Sequence, residues 1–368
     1  TPAKAGAALQ GPSYQTIGLL LGPALFALMM FFADTQTTMN PVAWKVAAIS
    51  LWMAAWWATE AVPVPVTALL PIATFELAGI STMKEATAPY ANPIIYLFLG
   101  AFVLALAVER WNLHKRIALM ILSRTGTDGR RMIGGFMLVS ALLSMWMTNT
   151  STTMMLFPIA ISVTAIIVEN VQGLSERAKS HFQTAMLLAL AYSATIGGLA
   201  TLVGTPPNAL LAAFLSENYG IEIGFARWMA IGVPVAAILL PAGWLLLTRW
   251  IYQVEIPEND EVKNHLRKLK ADLGPLSKPE ARVATIFVLV VLAWMLRRPL
   301  SSGFGLEGLS DTGIAMAAGL LLFLVPSGDD RQAHLMTWQD VSRLPWGVLV
   351  LFGGGLSLAA QISASGLA

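Results

Sequence analysis

Ser144-Met145-Trp146-Met147-Thr148-Asn149-Thr150-Ser151-Thr152-Thr153-Met154-Met155 gathers hydroxyls around one amide between two apolar runs, Met132 to Met147 and Met154 to Val168, neither of which carries a charge. Each run can lie in lipid as a helix. Polar side chains at such a junction are expensive in hydrocarbon unless something bonds to them, so they face protein, water or a ligand. Taken alone, the stretch also reads as a polar turn between two ordinary spans, and the rest of the chain decides between the two.

Working outward, the composition fixes the class. Of 368 residues 56% are hydrophobic and only 12% charged, with mean hydropathy +0.66. A soluble domain carries about twice that charged fraction, so this is a polytopic membrane protein. Cysteine is absent, which excludes a disulfide framework and thiolate metal sites. The net charge of +2 reflects loop bases of the kind the positive-inside rule requires, and it does not point to nucleic acid.

Apolar runs predict spans over Ile17 to Ala33 (read as a true span, not a signal peptide), Val42 to Thr59, Ala61 to Ile80 and Pro93 to Val108. Residues 109–122 put bases on one side and aliphatics with Trp111 on the other, and suit a helix in the interface plane with Trp111 at headgroup level. Gln183 to Ser216 is too long for one unbroken span. Gly197-Gly198 weakens it, and Thr205 followed by Pro206 is the signal for a new helix, so the spacing predicts a stop near Gly197 and a restart at Pro206. Phe225 to Trp250 is the next span, and Glu255 to Arg282 reads as a mixed-charge loop. Val283 to Leu296, Thr312 to Val325 and Trp346 to Ala360 complete the set.

Bases near the span ends set the topology. Lys115, Arg116, Arg124, Arg130 and Arg131 precede the Asn149 hairpin, Arg177 and Lys179 follow it, and Lys263 to Arg282 hold six more. These segments share the cytoplasmic side; Arg297 and Arg298 fall outside and are exceptions. The stretch from Leu99 to Leu113 aligns with Gly353 to Leu367 at an offset of about 254 residues, which reads either as an internal repeat or as the chance likeness of two glycine-rich apolar helices. Repeats separated by an odd number of crossings are inverted, the architecture of secondary transporters, whose sites form where broken helices meet near the midplane. A second copy of the Asn149 hairpin is expected beyond Ala368, so the second repeat reads as incomplete and the chain as truncated.

The two breaks suggest a chemistry. Helices starting near Ser151 and Pro206 present free N–H groups and positive dipole ends, suited to a carboxylate. Those ending near Met147 and Gly197 present carbonyls, suited to a hard cation such as sodium. No Lys or Arg lies in either break, so a bound polyanion needs cations to balance it.

Thr148-Asn149-Thr150 resembles the Ser-Asn-Thr signature of the divalent anion/sodium symporter family, with Thr in place of Ser. Gly204-Thr205-Pro206-Pro207-Asn208 is similar to its companion loop, and Trp56 to Pro63 and Ala91 to Phe98 also look like family stretches. The resemblance implies an all-α inverted-repeat transporter with a re-entrant hairpin and a broken helix, a homodimer in the bacterial inner membrane. It implies symport of sodium with C4-dicarboxylates such as succinate by an elevator motion, with exchange, sulfate transport or a non-transporting remnant as alternatives. On this reading residues 1–128 supply scaffold spans and the interfacial helix, 129–222 half of the transport domain, and 223–368 the sixth span, a cytoplasmic loop and the start of the second repeat. Sodium is expected at Ser144, Thr148, Asn149, Gly197, Gly204 and Asn208, and substrate at Thr148, Asn149, Thr150, Thr205 and Pro206.

Other residues are read more plainly. Glu60 beside Pro63 is a helix-end residue. His114, His181, His265 and His334 are read as polar-loop residues with no metal-ligand spacing. A membrane-embedded hydrolase using Ser144 or Ser151 lacks an intramembrane base, so no enzyme activity is expected.

Overall fold

The computed structural model describes residues 13–37, 39–171, 174–329 and 332–367. Helices dominate: α1 (Tyr14–Phe31), α2 (Pro41–Thr59), α3 (Val64–Thr67), α4 (Leu70–Thr74), α5 (Met83–Thr87), α6 (Pro93–Arg110), α7 (Leu113–Leu122), α8 (Gly129–Ser144) and α9 (Asn149–Asn170). They continue as α10 (Glu176–Gly198), α11 (Pro206–Tyr219), α12 (Phe225–Leu245), α13 (Asp260–Asp272), α14 (Lys278–Met295), α15 (Arg297–Phe304), α16 (Asp311–Leu324), α17 (Trp338–Val341) and α18 (Trp346–Ser365). One small antiparallel hairpin, β1 (Pro326–Asp329) with β2 (Gln332–His334), is the only sheet among the described residues. The protein is an all-α, multi-pass membrane protein. Five stretches among the described residues are long and apolar enough to cross a bilayer, and α14 with the start of α15, bent by 70°, forms a sixth if the pair counts as one span.

Several boundaries depart from the sequence reading. Residues 61–80 are not one span: Pro63, Pro65 and Pro71 restrict the chain to the short helices α3 and α4. Residues 109–122 are interrupted at Asn112, which adopts a left-handed conformation (φ 55°) before α7 begins. The Trp111 indole N–H donates to the Leu335 carbonyl at 2.9 Å. The supposed loop from Glu255 holds α13, whose Val262 and Leu266 are buried while its bases stay outside. Glu60 closes α2 in a left-handed conformation (φ 46°), as a helix-end residue does.

The chain separates into two compact units. One takes the described residues up to Ile95 with Glu217–Tyr219 and those from Pro345 onward; the other takes Tyr96–Ser216 and Gly220–Leu344. In the first, Ile49, Met53, Leu70, Phe75 and Ala86 form a small core flanked by Trp52 and Trp56. Tyr90 donates to the Ala68 carbonyl there, and Ser357 to that of Ala86 at 2.8 Å.

The second unit holds the larger core, from Ile133 and Phe136 of α8, Leu156 and Val163 of α9, Phe182 and Met186 of α10, and Leu266 of α13. Arg116 of α7 makes a largely buried ion pair with Glu280 at 3.0 Å and also donates to the carbonyls of Leu273, Gly274 and Pro275. It therefore fixes the end of α13 and the start of α14 to the helix that leads into the hairpin. Arg110 pairs with Asp340 and Arg343 with Glu109, tying the end of α6 to the α17 segment.

Candidate functional site

The α8–α9 turn forms around its own polar residues. Helix α9 starts at Asn149, two residues before the position the sequence suggested, because Thr148 and not a later hydroxyl takes the capping role: its Oγ1 accepts the Ser151 N–H at 3.2 Å. A residue in the extended conformation before a helix satisfies one of the orphan N–H donors in this way. The same Thr148 hydroxyl donates to Ser151 Oγ at 2.9 Å, so it is occupied within the turn. Helix α8 ends at Ser144, short of Met147.

Ser144 is fully buried, and its hydroxyl donates to Asn149 Oδ1 at 2.6 Å. That bond orients the Asn149 amide, leaving Nδ2 with no protein acceptor among the described residues. Thr150, next along the first turn, is exposed.

The second break lies against this turn. Helix α10 ends at Gly198 and α11 begins at Pro206. The restart falls where the sequence put it, although Thr205 makes no side-chain cap bond. Asn208 is 4% exposed; its Nδ2 donates to the Gly198 carbonyl at 2.9 Å and the Thr201 carbonyl at 2.8 Å, closing the connection between the half-helices. Thr201 donates its hydroxyl to the Met145 carbonyl, joining that connection to the hairpin turn.

Glycines make this proximity possible. A Cβ on Gly198 would sit 2.8 Å from Asn149 Oδ1, one on Gly204 2.5 Å from the Gly198 carbonyl oxygen, and one on Gly197 2.2 Å from the Ala141 carbonyl oxygen. Ser144, Asn149, Gly197, Gly204 and Asn208 thus come together, with Thr205 and Pro206 at the restart beside them. Around them are a serine hydroxyl, an amide, backbone carbonyls at the ends of α8 and α10, and N–H groups at the starts of α9 and α11. Neutral oxygens suit a hard cation, and helix starts suit an anion.

Sequence reasoning missed two supporting residues. Trp146 in the turn packs with Phe225 (centroids 5.9 Å apart), Phe287 (5.0 Å) and Trp294 (6.5 Å), fixing the hairpin tip to α12 and α14. Phe225 is held in turn by the Asp311 carboxylate, which accepts its N–H at 2.8 Å and lies 3.2 Å from Arg297 Nε. These partners are distant in sequence and leave no local signal. Thr201 was likewise invisible, being one hydroxyl in a small-residue loop.

Three of the four histidines lie in helices instead of loops, and His334 ends β2. His114 lies in α7, 2% exposed, with Nδ1 3.0 Å from the Val108 carbonyl; burial lowers its pKa, against the effect of that hydrogen bond. His181 in α10 reaches the Tyr252 carbonyl and His265 in α13 reaches Ser162 Oγ. No group of His, Asp or Glu among the described residues is arranged to hold a metal ion.

Comparison with known proteins gives the lineage. Residues 15–368 match the family model described as "Sodium:sulfate symporter transmembrane region". The sodium-dependent dicarboxylate transporters SdcS of Staphylococcus aureus strains USA300, NCTC 8325 / PS 47 and COL are each 39% identical to the chain over 364 residues, covering 96% of this chain and 68% of the relative. The chain belongs to the sodium:sulfate symporter family, that of the divalent anion/sodium symporters, and it is a multi-pass cell-membrane transporter, not an enzyme.

Proposed function

We propose that this chain carries C4-dicarboxylates such as succinate across the cell membrane with sodium, the hairpin turn and the α10–α11 break forming its cation and carboxylate site. The observation that carries the reading is the meeting of Asn149, fixed by Ser144, with Gly198 and the loop that Asn208 closes. Sodium is assigned to the oxygens of Ser144, Thr148, Asn149, Gly197, Gly204 and Asn208. Thr148 contributes its carbonyl, since its hydroxyl is committed to the cap. A substrate carboxylate is assigned to Asn149 Nδ2, the hydroxyls of Thr150 and Thr205, and the helix starts at Asn149 and Pro206.

Coupling follows from charge. Neither break contains Lys or Arg, and a buried uncompensated charge costs several kcal/mol, while a neutral hydrogen bond returns about 1 kcal/mol. Bound cations offset that deficit, so the dianion binds well only to the sodium-loaded site. The name of the Staphylococcus relatives supports dicarboxylate and sodium as cargo.

We assign the moving, transporting role to the unit that holds the hairpin and the break, and the scaffold role, with a homodimer contact, to the unit built on α1–α5 and α18. The boundaries then fall at Ile95 and Pro345 instead of residues 128 and 223. A repeat is supported by a recurring local pattern: Thr82 with Glu85 forms a capping box shortly before α6, and Thr337, whose N–H and hydroxyl both donate to the Asp340 carboxylate, stands likewise before α18.

The test is uptake of labelled succinate into proteoliposomes under a sodium gradient, with potassium as control and sulfate as competitor. Sodium-driven uptake is expected, and Asn149→Ala should abolish it while the protein still inserts. Uptake unchanged in Asn149→Ala would overturn the site. Uptake of sulfate in place of succinate would overturn the substrate class.

A further inference from the structure

Away from the hairpin tip, the connection from α7 to α8 (residues 123–128) and the start of α13 enclose a polar cleft of about 310 Å³. It lies on the face that the distribution of loop bases assigns to the cytoplasm. Arg124, Arg131, Lys263 and Glu258 reach into its walls, with Thr125 and Thr127 between them. The cleft is held in shape: Thr127 Oγ1 accepts the Asn259 N–H at 3.2 Å, and the Gly129 N–H donates to the Ile256 carbonyl at 3.1 Å. Buried Leu122 and Leu266 form its floor.

Its charges do not balance. Arg131 is shared by two carboxylates, Asp128 at 3.2 Å and Glu258 at 3.4 Å. Arg124 donates to the Met120 carbonyl at 3.2 Å, and neither it nor Lys263 has a carboxylate in ion-pair range among the described residues. The lining holds three cations, Arg124, Arg131 and Lys263, and one carboxylate, Glu258; with Asp128, which lies outside the lining but pairs with Arg131, the excess is one positive charge. The backbone N–H groups of Gly126 and Thr127 also have no protein acceptor among the described residues. The Thr125 hydroxyl donates to the Leu122 carbonyl at 2.9 Å, whereas that of Thr127 only accepts and has no acceptor for its own hydrogen among the described residues. Bases, the Thr127 hydroxyl and free N–H groups together are donors that call for an oxyanion.

We propose that this cleft binds a singly charged phosphate group, the phosphodiester of an anionic membrane lipid. A phosphate monoester carries about −1.5 to −2 at neutral pH and overshoots the single net charge; a phosphodiester matches it. Basic pockets at the cytoplasmic edge of membrane helices attract anionic headgroups, and Met120, 38% exposed on the turn before Arg124, gives an acyl chain an apolar edge. The bound group would bridge the α7–α8 connection to α13 at the base of the hairpin.

The test uses purified protein in detergent, with phosphatidylglycerol or phosphatidylcholine and lipid retention read by native mass spectrometry. A parallel arm measures thermal stabilisation by inorganic phosphate. Wild type should retain phosphatidylglycerol in preference to phosphatidylcholine, and Arg124→Gln/Lys263→Gln should bind it about thirtyfold more weakly. Lys268→Gln/Lys270→Gln removes the same charge from α13 outside the cleft and should behave as wild type, while Arg124→Lys/Lys263→Arg should restore binding. Stabilisation by inorganic phosphate that depends on Arg124 and Lys263, without lipid preference, would keep the site and assign it to a soluble phosphate. Equal behaviour of the two Gln double variants toward both ligands would overturn the proposal, the attraction then being one of overall charge.

Discussion

Gly197→Ala tests whether the approach of α8 to α10 sets the proposed cation site. The added Cβ would stand 2.2 Å from the Ala141 carbonyl oxygen and 2.5 Å from Ala141 Cα, so the first contact is 1.2 Å short of the 3.4 Å at which ordinary contact begins. Both obstacles are backbone, and no rotamer change relieves them. The helices must separate by about 1 Å, and overpacking of this kind costs about 1–3 kcal/mol. Separation moves Ser144 and Asn149 away from the carbonyls of the break, and a displacement of about 1 Å in a preorganised site lowers its effectiveness at least tenfold. Gly355→Ala is the control: it also gains helix propensity, about 1 kcal/mol, but nothing lies within 4 Å of the new atom. Fluorescence-monitored melting and the sodium dependence of uptake should show Gly197→Ala melting several degrees lower, with an apparent sodium affinity at least tenfold weaker. If the two variants match in both measurements, the close helix approach does not govern the site.

Other perturbations reach the site from further away. Trp146→Ala should destabilise the protein by about 2–4 kcal/mol and raise the sodium requirement, with Trp146→Phe intermediate, as read by melting and uptake. Arg116→Gln should cost about 3–5 kcal/mol because it strands the buried Glu280 carboxylate, and Arg116→Gln/Glu280→Gln should recover part of that in the same melt. Burial lowers the His114 pKa below the unfolded value of about 6.5. The neutral ring therefore contributes stability above pH 6.5 that is lost as pH falls toward the folded pKa. Melting temperature should drop between pH 7 and pH 5, and drop less in His114→Asn, which keeps a donor toward the Val108 carbonyl.

Much of the architecture is legible in the chain because lipid allows few alternatives: long uncharged runs become helices, and glycine or proline inside them marks the break. Pro206 restarted α11 where its fixed φ suits a first helical position. The turn at Asn149 was harder, since Thr148, Thr150 and Ser151 can all cap and only tertiary placement selects Thr148. His114 looked like a loop residue among charges, yet with Ala118 and Leu122 it lies on the buried stripe of α7, at a four-residue spacing hidden by Lys115 and Arg116. The aromatic seat of Trp146 joins residues up to 148 positions apart, counting from Trp146 to Trp294, and no local pattern encodes it.

The α8–α9 hairpin is held very differently at its two ends. Its base is embedded in apolar packing, with the Ile256 carbonyl bonded to Gly129 and His265 to Ser162. Its tip is held by a few neutral contacts: Ser144 to Asn149, Thr201 to Met145, and the rings around Trp146. Local opening free energy follows such differences, so amide hydrogens near the turn should exchange sooner than those near the base, as hydrogen exchange would read. A cation that bridges the turn and the break closes that gap in protection, and the ordering it imposes on the turn is itself a currency in which a second ligand can be favoured.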